Sequence, residues 1–487
     1  MLDLAVLSHI IPEVIIAISV LLITLLGSFF NQHIKPRIYP ICVVVVLVFA
    51  MYFLWNNDFF EEEYALNLLF VSSQYTSFAK IVVLLATIAS VILSLGYNNI
   101  EKSLLNFEFY IIILLSVLGM MVMISSNDLM SLYLGLELLS LSLYTLVSYN
   151  KKSILSAEAG LKYFVLGALA SAILLYGASL IYGFTGTTNF SYIKTIHQQY
   201  SLGAPVPVGV IVGIVLVISG LCFKIAAAPF HMWAPDVYQG APLPVTAFLS
   251  TAPKAASIFL LVKLLILNFD IWHQEWKQVI VSVSCLSLTI GSLGALFQSN
   301  IKRLLAYSSI NHIGFLLIGL VSYNVAGVEA SLIYLCIYLS MNLGIFAFVA
   351  MLQGNKEENF DLSIFQGLSR TNPIVSMCIA ILLLSMAGIP PLAGFLAKFY
   401  IIYGAIKGNM YFIASFAMVT AVISAFYYLK IIKLMYFDDV GKKAGGNLFS
   451  VENIVIGSFA ATFNVILIIF PTSFNNIISY SVRSLFE

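Results

Sequence analysis

The chain has 487 residues, 61% of them hydrophobic and 9% charged, with a formal net charge of +1. Soluble domains carry about 25% charged residues, so this composition excludes a soluble fold and points to an all-α polytopic membrane protein. The near-neutral balance offers no basic face for nucleic acid.

Windows of about 20 apolar residues predict fourteen membrane helices. The first six lie near 11–30, 37–55, 74–95, 107–125, 127–148 and 157–183. The seventh starts near 208, the eighth occupies 245–268, and the next three lie near 278–298, 303–322 and 328–352. The twelfth runs from 373 to 406, the thirteenth from 410 to 436 and the last from 451 to 470.

Connections on one side hold Lys35, Arg37, Lys102, Lys151, Lys152, Lys302, Arg303, Lys356, Arg370, Lys442 and Lys443. The other side holds Lys194, Lys277, Lys407 and Arg483, and the acidic run Glu61–Glu62–Glu63. Basic loops stay cytoplasmic, so eleven basic residues against four predict that both termini face outward. The first basic residue is Lys35, well after the first apolar run, so the N-terminus does not read as a cleavable signal. No presequence and a full set of helices favour a bacterial inner (plasma) membrane over an organelle.

The most informative stretch runs from Gly220 to Lys254. It holds Lys224, His231, Asp236 and Lys254, and five prolines: Pro229, Pro235, Pro242, Pro244 and Pro253. Each proline removes a backbone donor and disturbs the preceding turn. Two readings are open: a loop between helices, or a broken helix at membrane depth, which survives only where protein or a water-filled cavity covers it. Lysines beside such a break make the second a candidate ion site.

A second break is expected at Gly388-Ile389-Pro390-Pro391-Leu392-Ala393-Gly394, just before Lys398. Helices four to eight and nine to thirteen begin about 170 residues apart. Five helices being an odd number, the second block would enter the membrane the opposite way up, as in an inverted repeat with one discontinuous helix per half. The expected division is 1–106, a three-helix segment; 107–268, the first five-helix repeat; 269–437, the second; and 438–487, a final helix.

Eight basic residues remain inside the spans: Lys80, Lys162, Lys224, Lys254, Lys263, Lys398, Lys430 and Lys433. Lys80 and Lys263 fall near span ends, and Lys430 and Lys433 toward the cytoplasmic end of helix thirteen, where long side chains snorkel to the interface. Lys162, Lys224, Lys254 and Lys398 need another reason, since a lysine at a helix centre costs about 2.5–3.5 kcal/mol. Glu137 is the one carboxylate expected at mid-span, either as a hydrogen-bonded structural acid or paired with Lys162 or Lys224. Whether a buried lysine keeps its proton depends on desolvation and on how near a carboxylate stands. Opening or closing such a pair is therefore a physical route to pumping. Lys224, Lys254 and Lys398 are the relay candidates, against the reading that they bind carbonyls freed by the breaks.

His312, after Ser308, Ser309 and Asn311, is either a proton-passing side chain or a satisfied polar one. His231 sits in the first break as a possible cap for freed carbonyls. Asp236 reads as a cap or turn residue, and Glu158 as a solvated acid. Cys42, Cys222, Cys285, Cys336 and Cys378 stand alone in apolar runs and read as small buried hydrophobes. No dinucleotide-binding glycine pattern follows a strand, so the chain is expected to carry no redox centre and no metal.

The run KIAAAPFHMWAPDVYQGAP resembles the signature of the antiporter-like membrane subunits of proton-pumping NADH–quinone oxidoreductase, respiratory complex I. Those subunits are similar to the membrane subunits of multi-subunit sodium/proton antiporters. Residues 156–177 (SAEAGLKYFVLGALASAILLYG) and 385–406 (SMAGIPPLAGFLAKFYIIYGAI) narrow the resemblance to the subunit N branch. A lysine at Lys398 also fits that branch better than the glutamate typical of subunit M. The chain ends soon after helix fourteen, without the long lateral helix of subunit L. The resemblance implies an inverted-repeat fold with broken helices seven and twelve and a part in proton translocation by a translocase. It implies that Glu137 and Lys224 form a modulating ion pair and that Lys254 is a central lysine. It further implies that Lys398 lies on the exit side, that Lys162 is the helix-six lysine, and that His312 is a connecting polar group. NADH, FMN, iron–sulfur clusters and quinone (ubiquinone) would belong to other subunits. The implied partners are a neighbouring antiporter-like subunit, small membrane subunits, protons and the lipid bilayer. Two other functions stay open: a cation/proton antiporter subunit and a passive scaffold.

Overall fold

The computed structural model describes residues 9–30, 35–56, 63–98, 106–200, 207–353, 360–439 and 450–486. Glu61, Glu62, Lys102, Lys356, Lys442 and Lys443, counted above for orientation, lie outside the described residues. The membrane helices are α1 (Ile11–Phe30), α2 (Ile38–Asn56), α3 (Gln74–Asn98), α4 (Phe107–Ser125), α5 (Leu129–Val147) and α6 (Ile154–Thr185). There follow α7 (Val208–Ile225), α8 (Ala252–Lys263), α9 (His273–Leu296), α10 (Ile301–Val321) and α11 (Val325–Leu352). The series ends with α12 (Pro373–Ala387), α13 (Ala393–Lys407), α14 (Tyr411–Tyr436), α15 (Val451–Ile469) and an amphipathic helix, α16 (Pro471–Arg483). One hairpin, β1 (Glu63–Ala65) with β2 (Phe70–Ser72), joins α2 to α3.

Among the described residues, thirteen helices are long and apolar enough to cross a membrane. The expected twelfth span is missing from that set because residues 388–392 divide it into α12 and α13, of 15 residues each. Neither half reaches the about 20 residues that a span needs; together they make the fourteenth crossing.

Polar side chains punctuate the helices where the sequence turns. Asp128 caps α5, accepting from the amides of Met130 (2.7 Å) and Ser131 (3.2 Å). Asn300 does the same for α10, through Lys302 (2.9 Å) and Arg303 (3.3 Å). Each cap satisfies amides that an α-helix leaves without partners. Small residues then let helices meet backbone to backbone. A Cβ on Gly119 of α4 would stand 2.6 Å from the Leu139 amide of α5, and one on Gly135 2.8 Å from the Met123 amide of α4. Gly177 of α6 and Gly213 of α7 are equally close: a Cβ on the first would lie 2.6 Å from the carbonyl oxygen of the second.

Burial is graded across the bundle. The segment Leu243–Asn268 is buried except for a partly exposed Leu267 and α10 is nearly fully buried, whereas α1, α2, α6 and α14 turn apolar side chains outward, Phe29, Val45, Phe164 and Val422 among them. Such faces suit lipid or neighbouring subunits. Cys42 lies on one of them, exposed on α2, so it is not the buried hydrophobe expected; Cys222 is buried and the other three are partly so.

Two lysines expected at the ends of spans and one expected in a loop are interior. Lys80 does not snorkel: it is 1% exposed and pairs with Glu13 of α1 at 2.6 Å, below the Phe70 ring at 4.7 Å. Lys263 is also buried, and donates to the carbonyls of Ile124 (3.1 Å) and Ser126 (2.8 Å) at the end of α4. Lys302, counted as a loop charge, is buried and donates to the Ala241 carbonyl at 2.7 Å. In each case a carboxylate or helix-end carbonyls hold the ammonium inside the bundle. Lys430 and Lys433 are exposed, as expected.

Candidate functional site: two helix breaks and the charges between them

Helix seven breaks after α7, where Ala226 adopts a left-handed conformation (φ 60°). That conformation costs a non-glycine residue about 1–2 kcal/mol. The chain then passes through short helices Trp233–Gly240 and Leu243–Leu249 before α8. Pro229 and Met232 reach the surface, but Ala226, Ala227, Ala228 and Trp233 are buried, so the stretch is a break inside the bundle rather than a surface loop. Protein side chains satisfy the freed backbone, as burial requires. The Trp233 indole, stacked on Tyr163 of α6, donates to the Phe223 carbonyl at 2.9 Å, and the Ala228 amide donates to Ser287 Oγ of α9 at 2.8 Å. Trp233 thus caps the Phe223 carbonyl, and His231, the cap expected from the sequence, hydrogen-bonds the Pro229 backbone within the same break.

Helix twelve breaks at Gly388, whose φ of 83° suits glycine. The side chain of Lys398 lies across this glycine and donates to the carbonyls of Met386 (3.1 Å) and Ala387 (2.8 Å), the open end of α12. Gly394 has no room for a side chain, since a Cβ there would stand 1.8 Å from the Ser385 carbonyl oxygen.

The lysines beside the breaks are buried: Lys224 is 7%, Lys254 0% and Lys398 6% exposed. Among the described residues none of the three has a carboxylate within 4.0 Å. Lys224, in the last turn of α7, donates to Ser140 Oγ at 2.6 Å and stands 3.5 Å from the Tyr144 hydroxyl. Glu137 is half-buried, one turn before Ser140 on the same face of α5. Its charge acts on Lys224, but a serine hydroxyl rather than the carboxylate touches the ammonium. Lys254, in the first turn of α8, donates to Ser309 Oγ of α10 at 2.7 Å and faces the Tyr238 ring at 5.3 Å.

α10 connects the two breaks. One turn beyond Ser309 lies His312, fully buried, with Nδ1 2.6 Å from the Tyr334 hydroxyl of α11 and Nε2 3.0 Å from the Tyr428 hydroxyl of α14. Tyr428 in turn hydrogen-bonds Ser308. Phe315, a further turn along, stacks on Tyr334 and presents its ring 5.1 Å from the Lys398 ammonium. Both Lys254 and Lys398 are near enough for their charges to act on His312. One face of α10 thus carries hydroxyl, imidazole and ring contacts from the first break to the second.

Lys162 lies apart from this line. Its side chain is 43% exposed on α6 and pairs with Glu158 at 2.7 Å and Asp236 at 2.9 Å. The second Asp236 oxygen takes Arg303 at 2.6 Å, so Asp236 bridges two cations and is more than a turn residue. Neither Glu137 nor Lys224 belongs to that group. Sequence reasoning did not single out Ser140, Tyr144, Tyr238, Tyr334 or Tyr428 among the spans' many hydroxyls; spacing gives no signal for which of them face a lysine. Among the described residues no three His, Cys, Asp or Glu side chains gather as a metal-binding set.

A family model described as NADH:quinone oxidoreductase/Mrp antiporter, TM, matches residues 126–424. NADH-quinone oxidoreductase subunit N of Parvibaculum lavamentivorans is 43% identical over 432 residues, 88% of each chain. A chain of respiratory complex I from Thermus thermophilus, solved with bound Aureothin, superposes with a TM-score of 0.79 at 29% identity, over 96% of this chain and 98% of that one. A chain of the Mrp complex from Dietzia sp. superposes with a TM-score of 0.85 over 99% and 98%, but at 21% identity it shows a shared fold alone. The break-and-lysine architecture and these likenesses agree, and the chain belongs to the subunit N family of NADH-quinone oxidoreductase.

Proposed function

We propose that this chain is a proton-translocating membrane subunit of NADH–quinone oxidoreductase, moving protons while electrons pass from NADH to quinone in other subunits. The observation that carries the reading is the placement of Lys224, Lys254 and Lys398. All three are buried beside or between helix breaks, and none has a carboxylate within ion-pair distance among the described residues. A buried ammonium held only by hydroxyls, rings and carbonyls is poised: its protonation answers to any charge that approaches or withdraws. Glu137, one turn from Lys224's serine partner, is the charge that sets the first lysine. Ser309 and His312, with Tyr334 and Tyr428, offer groups that both accept and donate protons between Lys254 and Lys398. Lys162, at the surface with Glu158 and Asp236, acts on this line from outside it.

In this reading residues 107–268 and 269–437 are inverted repeats, flanked by 1–106 and 438–487, with one break in each. The chain sits in a bacterial inner membrane with both termini on the periplasmic side. Its partners are a neighbouring antiporter-like subunit and small membrane subunits. FMN, iron–sulfur clusters and quinone are bound by other chains of the complex.

The test is Lys224→Ala in the assembled complex, with NADH-driven quinone reduction and proton uptake into inverted vesicles measured together and assembly checked on a native gel. Normal assembly with a joint collapse of both rates is expected. Normal assembly with both rates unchanged refutes a relay through Lys224.

A further inference from the structure

The broken helix twelve is stapled by a residue outside the relay and outside the segment matched by the family model. Asn464 of α15 is completely buried, as is Ser385 in the last turn of α12. The Ser385 hydroxyl donates to Asn464 Oδ1 at 2.8 Å and accepts from the amide of Gly394, at the start of α13, at 3.0 Å. One hydroxyl thereby joins the two halves of the helix. The Asn464 amide nitrogen donates to Ser340 Oγ of α11 (3.1 Å) and to the Ala460 carbonyl (2.8 Å). Ser340 donates onward to the Ile337 carbonyl at 2.8 Å. Donors and acceptors alternate without conflict from α13 through α12 and α15 to α11, and both ends of the Asn464 amide are used.

The carbonyls that hold the Lys398 ammonium belong to Met386 and Ala387, the residues immediately after Ser385. Lys398 itself is on α13, four residues after Gly394. The staple therefore ties the element that carries the ammonium to the element that carries its cradle. A buried amide anchored on two further helices is a stiffer hold than the Gly388–Leu392 turn alone, because releasing it leaves buried polar groups without partners.

We propose that Asn464 is a positioning residue for Lys398, fixing the two halves of helix twelve so that the ammonium meets its carbonyl cradle. The proposal rests on the relay reading above.

The experiment uses the assembled complex in inverted vesicles and reads quinone reduction, proton uptake and the pH profile of uptake, with assembly on a native gel. Asn464→Leu keeps the volume but neither accepts nor donates; uptake is expected to fall about tenfold, within the ~10²-fold that an ångström of misplacement can cost. Asn464→Asp still accepts from Ser385; it is expected to keep more activity than Asn464→Leu and to move the pH profile, through a new carboxylate beside the Lys398 cradle. A purely packing role gives the opposite order, since a buried carboxylate is worse tolerated than leucine. That order, or wild-type uptake for Asn464→Leu, overturns the proposal. If Asn464→Leu does not assemble, Ser385→Ala, which deletes only the bridging hydroxyl, is expected to assemble and lose uptake. Failure of both to assemble assigns the staple to folding and overturns the proposal. Lys398→Ala separates the two levels: full uptake there removes the relay reading itself, whereas lost uptake there beside wild-type uptake in Asn464→Leu removes only the staple's role.

Discussion

Lys254→Met separates a transport charge from a structural one. Methionine has nearly the volume of the lysine stem, so the substitution leaves no cavity to account for. Lys254 is fully buried, with no carboxylate within 4.0 Å among the described residues. Removing it relieves a burial cost of about 2.5–3.5 kcal/mol on the insertion scale. It forfeits one charged hydrogen bond to Ser309, of about 1.5–3 kcal/mol. Ser309 is not orphaned, because its hydroxyl still donates to the Ala306 carbonyl at 2.9 Å. The two terms nearly cancel, so stability is expected to stay within about 1 kcal/mol of the parent, from the same two ranges. Were the lysine half of a buried ion pair, removing it would cost about 3–5 kcal/mol. The assay is the dissociation midpoint of the solubilised complex after graded heating, beside proton uptake in inverted vesicles. An unchanged midpoint with uptake abolished is expected. A collapsed midpoint, or uptake at the parental rate, refutes the reasoning.

The buried Glu13–Lys80 pair behaves in the opposite way: Glu13→Gln alone is expected to cost about 3–5 kcal/mol, whereas Glu13→Gln with Lys80→Met is expected to recover most of it. The same heating series checks this, and a double variant no better than the single one contradicts it. Gly394→Ala puts a methyl 1.8 Å from the Ser385 carbonyl oxygen. It is expected to force the halves of helix twelve apart and to abolish uptake, which vesicle assays on the membrane-assembled complex will read.

The breaks are legible in the sequence because proline and glycine act locally. Pro229 and Pro242 fall between helices and Pro235 sits in the first turn of Trp233–Gly240, where proline is tolerated, while Gly388 ends α12 with a left-handed φ and Pro390 and Pro391 follow it in the turn. The burial of Lys224, Lys254 and Lys398 is legible too, since a lysine far from either end of an apolar run has no water within reach. Partners are not legible. Lys80 reads as an interfacial lysine until the fold brings Glu13, 67 residues away in the chain, to 2.6 Å. Lys302 reads as a loop charge until the carbonyls at the end of Trp233–Gly240 close over it. The serine between Glu137 and Lys224 is one of many in the chain, and only the rotation of α5 against α7 selects Ser140. Asn464 sits in an otherwise unremarkable last span, and nothing in its neighbours' spacing points to a staple 79 residues back.

The glycine contacts between α4 and α5, and between α6 and α7, have a mechanical consequence. Where a Cβ would come within 2.6 Å of the facing backbone at Gly119 or Gly177, the two cylinders are geared together. Sliding one past its neighbour by a single residue, about 1.5 Å along the axis, would drive a side chain into a slot sized for hydrogen. These helix pairs are therefore stiff against shear. Work delivered to this half of the molecule has to appear as swings of long side chains and redistributed charge, with the backbone serving as the fixed frame against which they move.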